Sequence, residues 1–289
     1  MRAMTRRRLA ETPLLAGING FGNNGEGKFL ESSLTPPLKW AGGKRWLIPH
    51  LLPIWQKYKH RRLVEPFCGG LAVPLGLMPE RALLNDVNPH LINFYRHIKR
   101  GLQLTINAVN NEGVFYSSRT RFNELIKAGE AKSSEAAQLF YYLNRTGYNG
   151  LCRFNRSGLY NVPFGSYKTI NYVSDFLQYR PIFKRWEFSD TDFEKLDVEA
   201  NDFIYADPPY DVDFTTYSAG GFKWEDQQRV AEWLSKHRGP VVLSNQATPR
   251  IVDLYTRLGF ELQFFDAPRR ISCNGNRTAA KEVLALKGV

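Results

Sequence analysis

The residues best suited to chemistry lie in one run, Phe203-Ile204-Tyr205-Ala206-Asp207-Pro208-Pro209-Tyr210. The β-branched and aromatic residues from Phe203 to Ala206, bounded by turn formers, predict a short buried strand. It delivers a carboxylate, Asp207, onto two prolines. Prolines fix φ and lack an N–H, so the backbone leaves the sheet in one rigid shape with free carbonyls. Ligands of open α/β sheets bind at the carboxyl ends of strands, which puts Asp207, Pro208, Pro209 and the Tyr210 ring at one pocket. A carboxylate and a carbonyl there can accept both N–H bonds of an exocyclic amino group such as that of adenine. The amino lone pair, otherwise delocalised into the ring, can then be aimed at a methyl donor while an aromatic ring stacks the base. The plainer alternative is a strand and a diproline turn with a surface tyrosine.

Such a site needs a sheet to carry it. Leu63-Val64-Glu65-Pro66-Phe67-Cys68-Gly69-Gly70 reads as a strand breaking into a glycine loop before a helix. Ala82-Leu83-Leu84-Asn85-Asp86 reads as a second strand ending in an acid. Asp86 follows Gly69 at close to the roughly 20-residue separation at which an acid binds ribose hydroxyls in nucleoside-binding α/β sheets. An ordinary βαβ turn with a helix cap is the alternative. Upstream, Lys39-Trp40-Ala41-Gly42-Gly43-Lys44 offers a ring, a cation and glycines that permit close backbone approach to a ligand. A helix over 45–55, made irregular by Pro49 and Pro53, should follow. Helical spacing runs from Asn88 to about Ala128, with Leu91, Phe94, Tyr95 and Ile98 as its apolar stripe and Arg119, Arg121 and Lys127 as a solvated face. Ser133 and Ser134 cap a further helix ending near Asn144. Residues 186–193 alternate like a strand, with Asp192 and Phe193 placed to edge the adenine of a cofactor. A helix over 225–236, a buried strand at 240–245, a helix over 251–258 closed by Gly259, and a strand pair at 260–265 and 282–286 complete the pattern.

Charge narrows the partner. The 289 residues carry 39 Lys and Arg against 28 Asp and Glu, a net +11, which favours nucleic acid ahead of an anionic membrane surface. No apolar run approaches the ~20 residues of a spanning helix, and Arg6-Arg7-Arg8 leads into no apolar stretch of the signal-peptide kind. Cys68, Cys152 and Cys273, odd in number and far apart, read as reduced thiols. No His/Cys spacing suggests a metal, and His90 and His97 read as satisfied surface histidines. Residues 1–35 read as a flexible extension. Within it, Gly20-Phe21-Gly22-Asn23-Asn24-Gly25 fits a dinucleotide fingerprint by letter but lacks the strand before it and the helix after it.

A second block, Asn144 to Lys168, interleaves loop formers with Arg and Tyr. Arg145 and Arg153 can read guanine, Asn149 and Asn155 can read adenine, and Tyr148 or Leu151 can wedge into a base step. Asn149-Gly150 and Ser157-Gly158 predict a β-hairpin that fits a groove, the alternative being a plain basic surface hairpin. Residues 211–222 form a polar loop able to fold over a bound base, and Arg269 and Arg270 open a basic loop suited to phosphates.

Lys39-Trp40-Ala41-Gly42-Gly43-Lys44, Glu65-Pro66-Phe67, Asn144-Arg145 through Asn155, Asn161-Val162-Pro163-Phe164-Gly165, Asp207-Pro208-Pro209-Tyr210 and Arg269-Arg270-Ile271-Ser272 occur in this order. Over about Leu38 to Val289 the chain thereby resembles the Dam-type DNA adenine-N6 methyltransferases. The resemblance implies an α/β fold: a Rossmann-like seven-stranded AdoMet-dependent methyltransferase sheet over 36–100 and 186–289, with a helical and β-hairpin DNA-recognition domain, 101–185, inserted in it. It implies S-adenosyl-L-methionine as cofactor, with Trp40, Lys44, Asp86 and Asp207 matching cofactor or active-site contacts and Glu65, Pro66, Phe67 and Gly69 the loop along the methionine side. It implies double-stranded DNA as partner. Lys39 matches a reader of the outer guanine of GATC, and Tyr148 the aromatic that fills the gap left by a flipped adenine. Leu151, Arg153 and Pro163 match readers of the second half of the site, and Tyr167 a further base contact.

The implied activity is methyl transfer to adenine N6 in duplex DNA, at GATC, without a metal. The implied setting is the cytoplasm of a bacterium or a phage-infected cell, with the enzyme a monomer that has no obligate protein partner and no membrane association. One position departs: the family's Phe-x-Gly-x-Gly is here Phe67-Cys68-Gly69-Gly70-Leu71. An RNA adenine-N6 methyltransferase would share the pocket, and a DNA-binding relative impaired at Leu71 is the third reading.

Overall fold

Seven strands pair into one sheet: β1 (Leu63–Glu65), β2 (Ala82–Asn85), β3 (Trp186–Ser189), β4 (Phe203–Ala206), β5 (Val241–Gln246), β6 (Glu261–Ala267) and β7 (Ala280–Lys287). Their order is β3-β2-β1-β4-β5-β7-β6, the first five parallel and β7 antiparallel to both β5 and β6. The computed structural model describes residues 34–173, 175–211, 221–267 and 280–289. The glycine run near the start, most of the 211–222 loop, and the basic loop with Arg269, Arg270 and Cys273 lie outside the described residues.

The helices are α1 (Ile48–Tyr58), α2 (Ala72–Leu77), α3 (Pro89–Arg100), α4 (Glu112–Lys127), α5 (Ser134–Thr146), α6 (Arg180–Phe183), α7 (Trp224–Ser235) and α8 (Pro249–Arg257). They cover both faces of the sheet. Leu63, Leu84, Phe203, Tyr205 and Val242 belong to a core shared with α1 to α6, while Val64, Leu83, Ile204, Ala206, Val241 and Leu243 belong to one shared with α7 and α8. Successive strand residues point to opposite faces, so a strand buried on both reads as an unbroken apolar run. Among the described residues no helix is long and apolar enough to cross a membrane.

Side-chain caps start the helices around the inserted segment. Asn88 accepts from the His90 and Leu91 amides at 3.0 and 3.3 Å, Asn111 from Val114 at 3.0 Å, and Ser133 from Ala136 at 3.1 Å. The single helical pattern expected over 88–128 is therefore two helices. Gly101, at φ 98°, closes α3 in a left-handed cap, and the chain crosses to Asn111 before α4 begins.

The inserted segment shares the α1–α6 core. Phe94 of α3 stacks on Tyr141 of α5 at 5.3 Å, and Phe122 of α4 meets Tyr160 edge-on at 6.0 Å. The hairpin turns at Ser157-Gly158, where the Asn155 amide donates to Leu159 O at 2.8 Å and Phe154 pairs with Tyr160. Asn149-Gly150 does not turn it. Those residues form a 3-10 turn in which Asn149 itself is left-handed, at φ 51°. Arg119, expected in solvent, donates to Val162 O at 3.1 Å because the hairpin covers that side of α4.

The sheet changes direction between β1 and β4, which run side by side with Leu63 opposite Phe203. β1 leads to β2 on one side and β4 to β5 on the other, so the loops at their carboxyl ends diverge and open a crevice. Glu65 and Asp207 meet there.

Leu71 sits at this crevice in a left-handed conformation, φ 63° and ψ 29°, with its side chain buried. Gly70 does not take that conformation over. A side chain there costs roughly 1–2 kcal/mol, whereas a buried leucine contributes about 2–5 kcal/mol. Leu71→Gly is expected to relax the backbone and still lower stability by roughly 1–3 kcal/mol, read as a lower urea midpoint at unchanged slope.

Candidate active site

Asp207 is the first residue past β4, and its sheet neighbours decide what meets it. Ser244 of β5 donates to Asp207 Oδ1 at 2.7 Å. Lys44, reaching in from the loop before α1, pairs with the same oxygen at 3.0 Å. Lys44 also donates to the Tyr210 hydroxyl, which in turn donates to Glu282 Oε1 of β7. With 4% of its side chain exposed, Lys44 is a buried cation between two carboxylates, Glu282 lying 3.8 Å away. Gln227 of α7 takes the Pro209 carbonyl at 2.7 Å and is held by Asn245 at 2.9 Å. Among the described residues none donates to the Pro208 carbonyl, which leaves it the open acceptor beside Asp207. Burial, then the charges of Asp207 and Glu282, push the Tyr210 phenol far above its ordinary value, so it stays a donor at neutral pH.

From Asp207 a cavity of about 750 Å³ runs along the ends of β1 and β2. Glu65 is buried on its wall, and its Oε1 has no hydrogen-bond partner among the described residues. Burial, then the charge of Asp207, hold its carboxyl well above the usual range. Asp86 accepts from the Gly69 and Asn88 amides at 3.2 and 2.9 Å. The glycine-to-acid spacing noted in the sequence is thus a hydrogen bond in the fold. Asn85 ties the neighbouring loops together, donating to Pro66 O at 2.9 Å and Thr191 O at 3.0 Å. Trp40 packs so close to the glycine loop that a Cβ on Gly69 or Gly70 would come within 2.7 Å of it. Phe67 lies 5.6 Å from Phe193, and Arg229 sits over Phe193 at 4.9 Å while pairing with Asp192 at 3.1 Å. No described Lys or Arg pairs with Glu65 or Asp86. Two acids without a protein cation, walled by rings, suit a nucleoside that carries positive charge.

Burial pushes Asp86 up to about 6. The folded chain keeps a proton that the unfolded carboxylate releases near pH 4, so this group makes stability fall as pH rises through that interval. Asp86→Asn removes the titration. Its melting temperature is expected to gain on the parent's between pH 4 and pH 7, and an unchanged difference across that range would contradict the assignment.

The predicted DNA contacts divide into open and engaged groups. Tyr148 is half exposed, and Arg153 and Pro163 are on the surface. Arg153 is steadied by Asn161 Oδ1 at 2.9 Å. Leu151 is half-buried at the cavity. Asn155 is spent locally, its Oδ1 accepting from the Ser157 and Leu159 amides at 3.0 Å each. Arg145 donates to the Pro37 and Asn171 carbonyls, which makes it a staple between segments. Lys39 lies 3.5 Å over the Tyr167 ring and donates to Arg145 O at 3.3 Å. Burial, then the neighbouring Arg145 charge, lower its pKa. Gly150 must lack a side chain, since a Cβ there would fall 2.4 Å from Lys39 Cβ.

Several functional neighbours were missed from sequence. Ser244 and Glu282 carried only the signal of a polar strand end, and Gln227 carried none. His90, expected at the surface, is buried: its ring stacks 4.8 Å from Phe154, its Nδ1 has no partner among the described residues, and burial pushes it down to about 4. The hairpin that covers it is distant in sequence.

Residues 40–267 match the family model described as D12 class N6 adenine-specific DNA methyltransferase. The chain is 37% identical over 276 residues to a DNA adenine methylase of Vibrio cholerae, covering 86% of this chain and 94% of that one. It is 34% identical over 268 residues to the Retron Ec67 DNA adenine methylase of Escherichia coli, covering 87% and 90%. It is 35% identical over 278 residues to the Type II methyltransferase M1.LlaDCHI of Lactococcus lactis, covering 86% and 92%. Among solved structures, a tRNA (m1A58) methyltransferase of Aquifex aeolicus aligns at TM-score 0.37 and 11% identity over 89% of this chain and 70% of that one, a likeness too slight to carry an argument. A carboxylate and an open carbonyl at the end of β4, a cavity beside them and above all this kinship lead to one assignment: the chain belongs to the D12 class of N6 adenine-specific DNA methyltransferases.

Proposed function

We propose that the enzyme uses S-adenosyl-L-methionine to methylate N6 of an adenine turned out of duplex DNA, at GATC. The observation that carries this reading is one cavity joining the Asp207 and Pro208 acceptors to Glu65 and Asp86, two acids with no Lys or Arg partner among the described residues. S-adenosyl-L-methionine, when bound, supplies a methyl group on a positively charged sulfur. Glu65, Pro66, Phe67 and Gly69 with Trp40 and Asp86 hold it, and Asp192 and Phe193 border its base. Asp207 and the Pro208 carbonyl accept the two amino N–H bonds, so the lone pair leaves conjugation. Pro209 makes that corner rigid, and the Tyr210 ring stacks the base. Ser244 and Lys44 hold Asp207 Oδ1 in one orientation, which supplies most of what such a transfer needs, namely placement and charge.

The base must leave the helix because an adenine stacked inside a duplex cannot enter an active-site cavity. In this reading residues 36–100 and 186–289 catalyse, and residues 101–185 recognise the site. Tyr148 fills the gap, Arg153, Leu151 and Pro163 read one half, and Lys39 must part from Tyr167 to reach the outer guanine. Asn149 lies exposed on that surface, and Arg145 shapes it from beneath. The enzyme then works beside DNA in the cytoplasm.

The test is methyl labelling by the purified full chain on a GATC duplex, duplexes with one base pair changed, and a structured RNA. The reading expects label in the GATC duplex, on adenine N6, with a loss of about 1–3 kcal/mol per changed pair. Equal labelling of the changed duplexes would remove the specificity, and preferential labelling of RNA would replace the substrate.

A further inference from the structure

We propose that Glu282 is a positioning residue for methyl transfer: from β7 it anchors the Tyr210 hydroxyl and shares Lys44 with Asp207. It thereby fixes the ring and the cation that border the amino-group acceptors. The proposal deepens the reading of Asp207, Pro208 and Tyr210 given above and rests on it.

Three observations converge on Glu282. Tyr210 stands beyond two prolines, and its hydroxyl is held by Lys44 and Glu282. A ring held only by its face can tilt, whereas a bond at its far tip sets the angle at which it meets a base. Glu282 is well suited to that task because it belongs to the sheet, opposite Gln246 of β5, and is 6% exposed. The Tyr210 tip is therefore referred to the same rigid frame that carries Ser244 and, through it, Asp207.

The third observation is that Glu282 is a poor choice for stability. Its Oε2 has no hydrogen-bond partner among the described residues, and it gathers with Asp207 around a single lysine. Burial raises its pKa, against the pull of Lys44 and the Tyr210 hydroxyl. A buried acid with an unused oxygen beside a like charge is disfavoured, and an apolar side chain at that strand position would avoid the penalty. Groups that burden the fold in this way cluster where activity requires them. Glu282 contacts neither acceptor nor methyl donor in this reading; it acts through Tyr210 and Lys44.

Steady-state kinetics on folded variants test the proposal. Glu282→Ala is expected to lower kcat by about tenfold or more, with KM for duplex DNA and for S-adenosyl-L-methionine within about twofold of the parent. Glu282→Leu fills the same strand position and serves if alanine does not fold. Glu282→Gln keeps an oxygen that accepts from Tyr210. It should recover most of the lost kcat and melt no lower than the parent, a pattern that a purely structural role would not produce.

In a double-mutant cycle with Tyr210→Phe, the losses should not multiply, and the double variant should be about as active as the worse single one. A kcat within twofold for the alanine and leucine variants, multiplicative losses, or a rise in KM in place of a fall in kcat would each overturn the proposal. A parent chain that labels no DNA would overturn both the proposal and the reading beneath it, and is recognised before any variant is made.

Discussion

Asp207→Ala is expected to cut methyl transfer by about 10²–10³-fold while duplex binding stays within about twofold. The two readouts separate because they rest on different elements. The exposed groups proposed to touch DNA stand on the segment after α5 and on the hairpin, whereas Asp207 is anchored at β4 by Ser244 and Lys44. Without the carboxylate, Pro208 O is left as a lone acceptor, the amino group is held by one bond, and its lone pair stays conjugated. Asp207→Asn keeps the shape and one carbonyl acceptor, so it should fall between alanine and the parent. Methyl labelling and a gel-shift titration on the same preparations check both values. Near-normal labelling by the alanine variant would mean that something other than Asp207 holds the amino group.

Lys44→Met is the second large effect, and here stability moves with activity. The methionine fills most of the volume but leaves Asp207 and Glu282 facing each other with no cation, at sites where the side chains are 18% and 9% exposed. Removing one partner of a buried ion pair costs about 3–5 kcal/mol. The sign of the pH dependence follows from Glu282. Its carboxyl titrates above the usual range even with Lys44 present, since burial raises it and Lys44 lowers it. Losing Lys44 raises it further, so the folded variant holds its proton over a wider interval than the unfolded chain does. Stability of the variant therefore falls more steeply than the parent's as pH rises above the ordinary carboxylate range. The gap between the two melting temperatures should be smallest near pH 4 and widen toward pH 8. A gap independent of pH would mean that Lys44 acts by packing alone.

These expectations draw on residues of two kinds. The local shape of Asp207-Pro208-Pro209-Tyr210 was legible in the chain, since it needs only near neighbours: a strand end, a rigid corner, an acid and a ring. The Gly69–Asp86 relation was legible because a βαβ unit has nearly constant length, and the fold turns it into a hydrogen bond. The break at Gly101 could have been seen as well, since Lys99 and Arg100 before a glycine mark a helix end. The hairpin was legible at Ser157-Gly158 and misleading at Asn149-Gly150, where contact with Lys39 shapes the chain.

What sequence by itself determined is the set of elements and the chemistry at their ends, because strand alternation, helix caps and proline corners act between near neighbours. Only the tertiary structure decided which of those ends share a space. Glu282 reads as the polar start of a strand until β7 inserts between β5 and β6 and carries it to Tyr210. His90 reads as solvated until a hairpin far along the chain closes over it. Leu71 reads as a side chain in a glycine's place until the fold turns it left-handed and buries it in the core. Each of these depends on pairing between distant segments, which burial of the whole sheet selects and no short window of residues can encode.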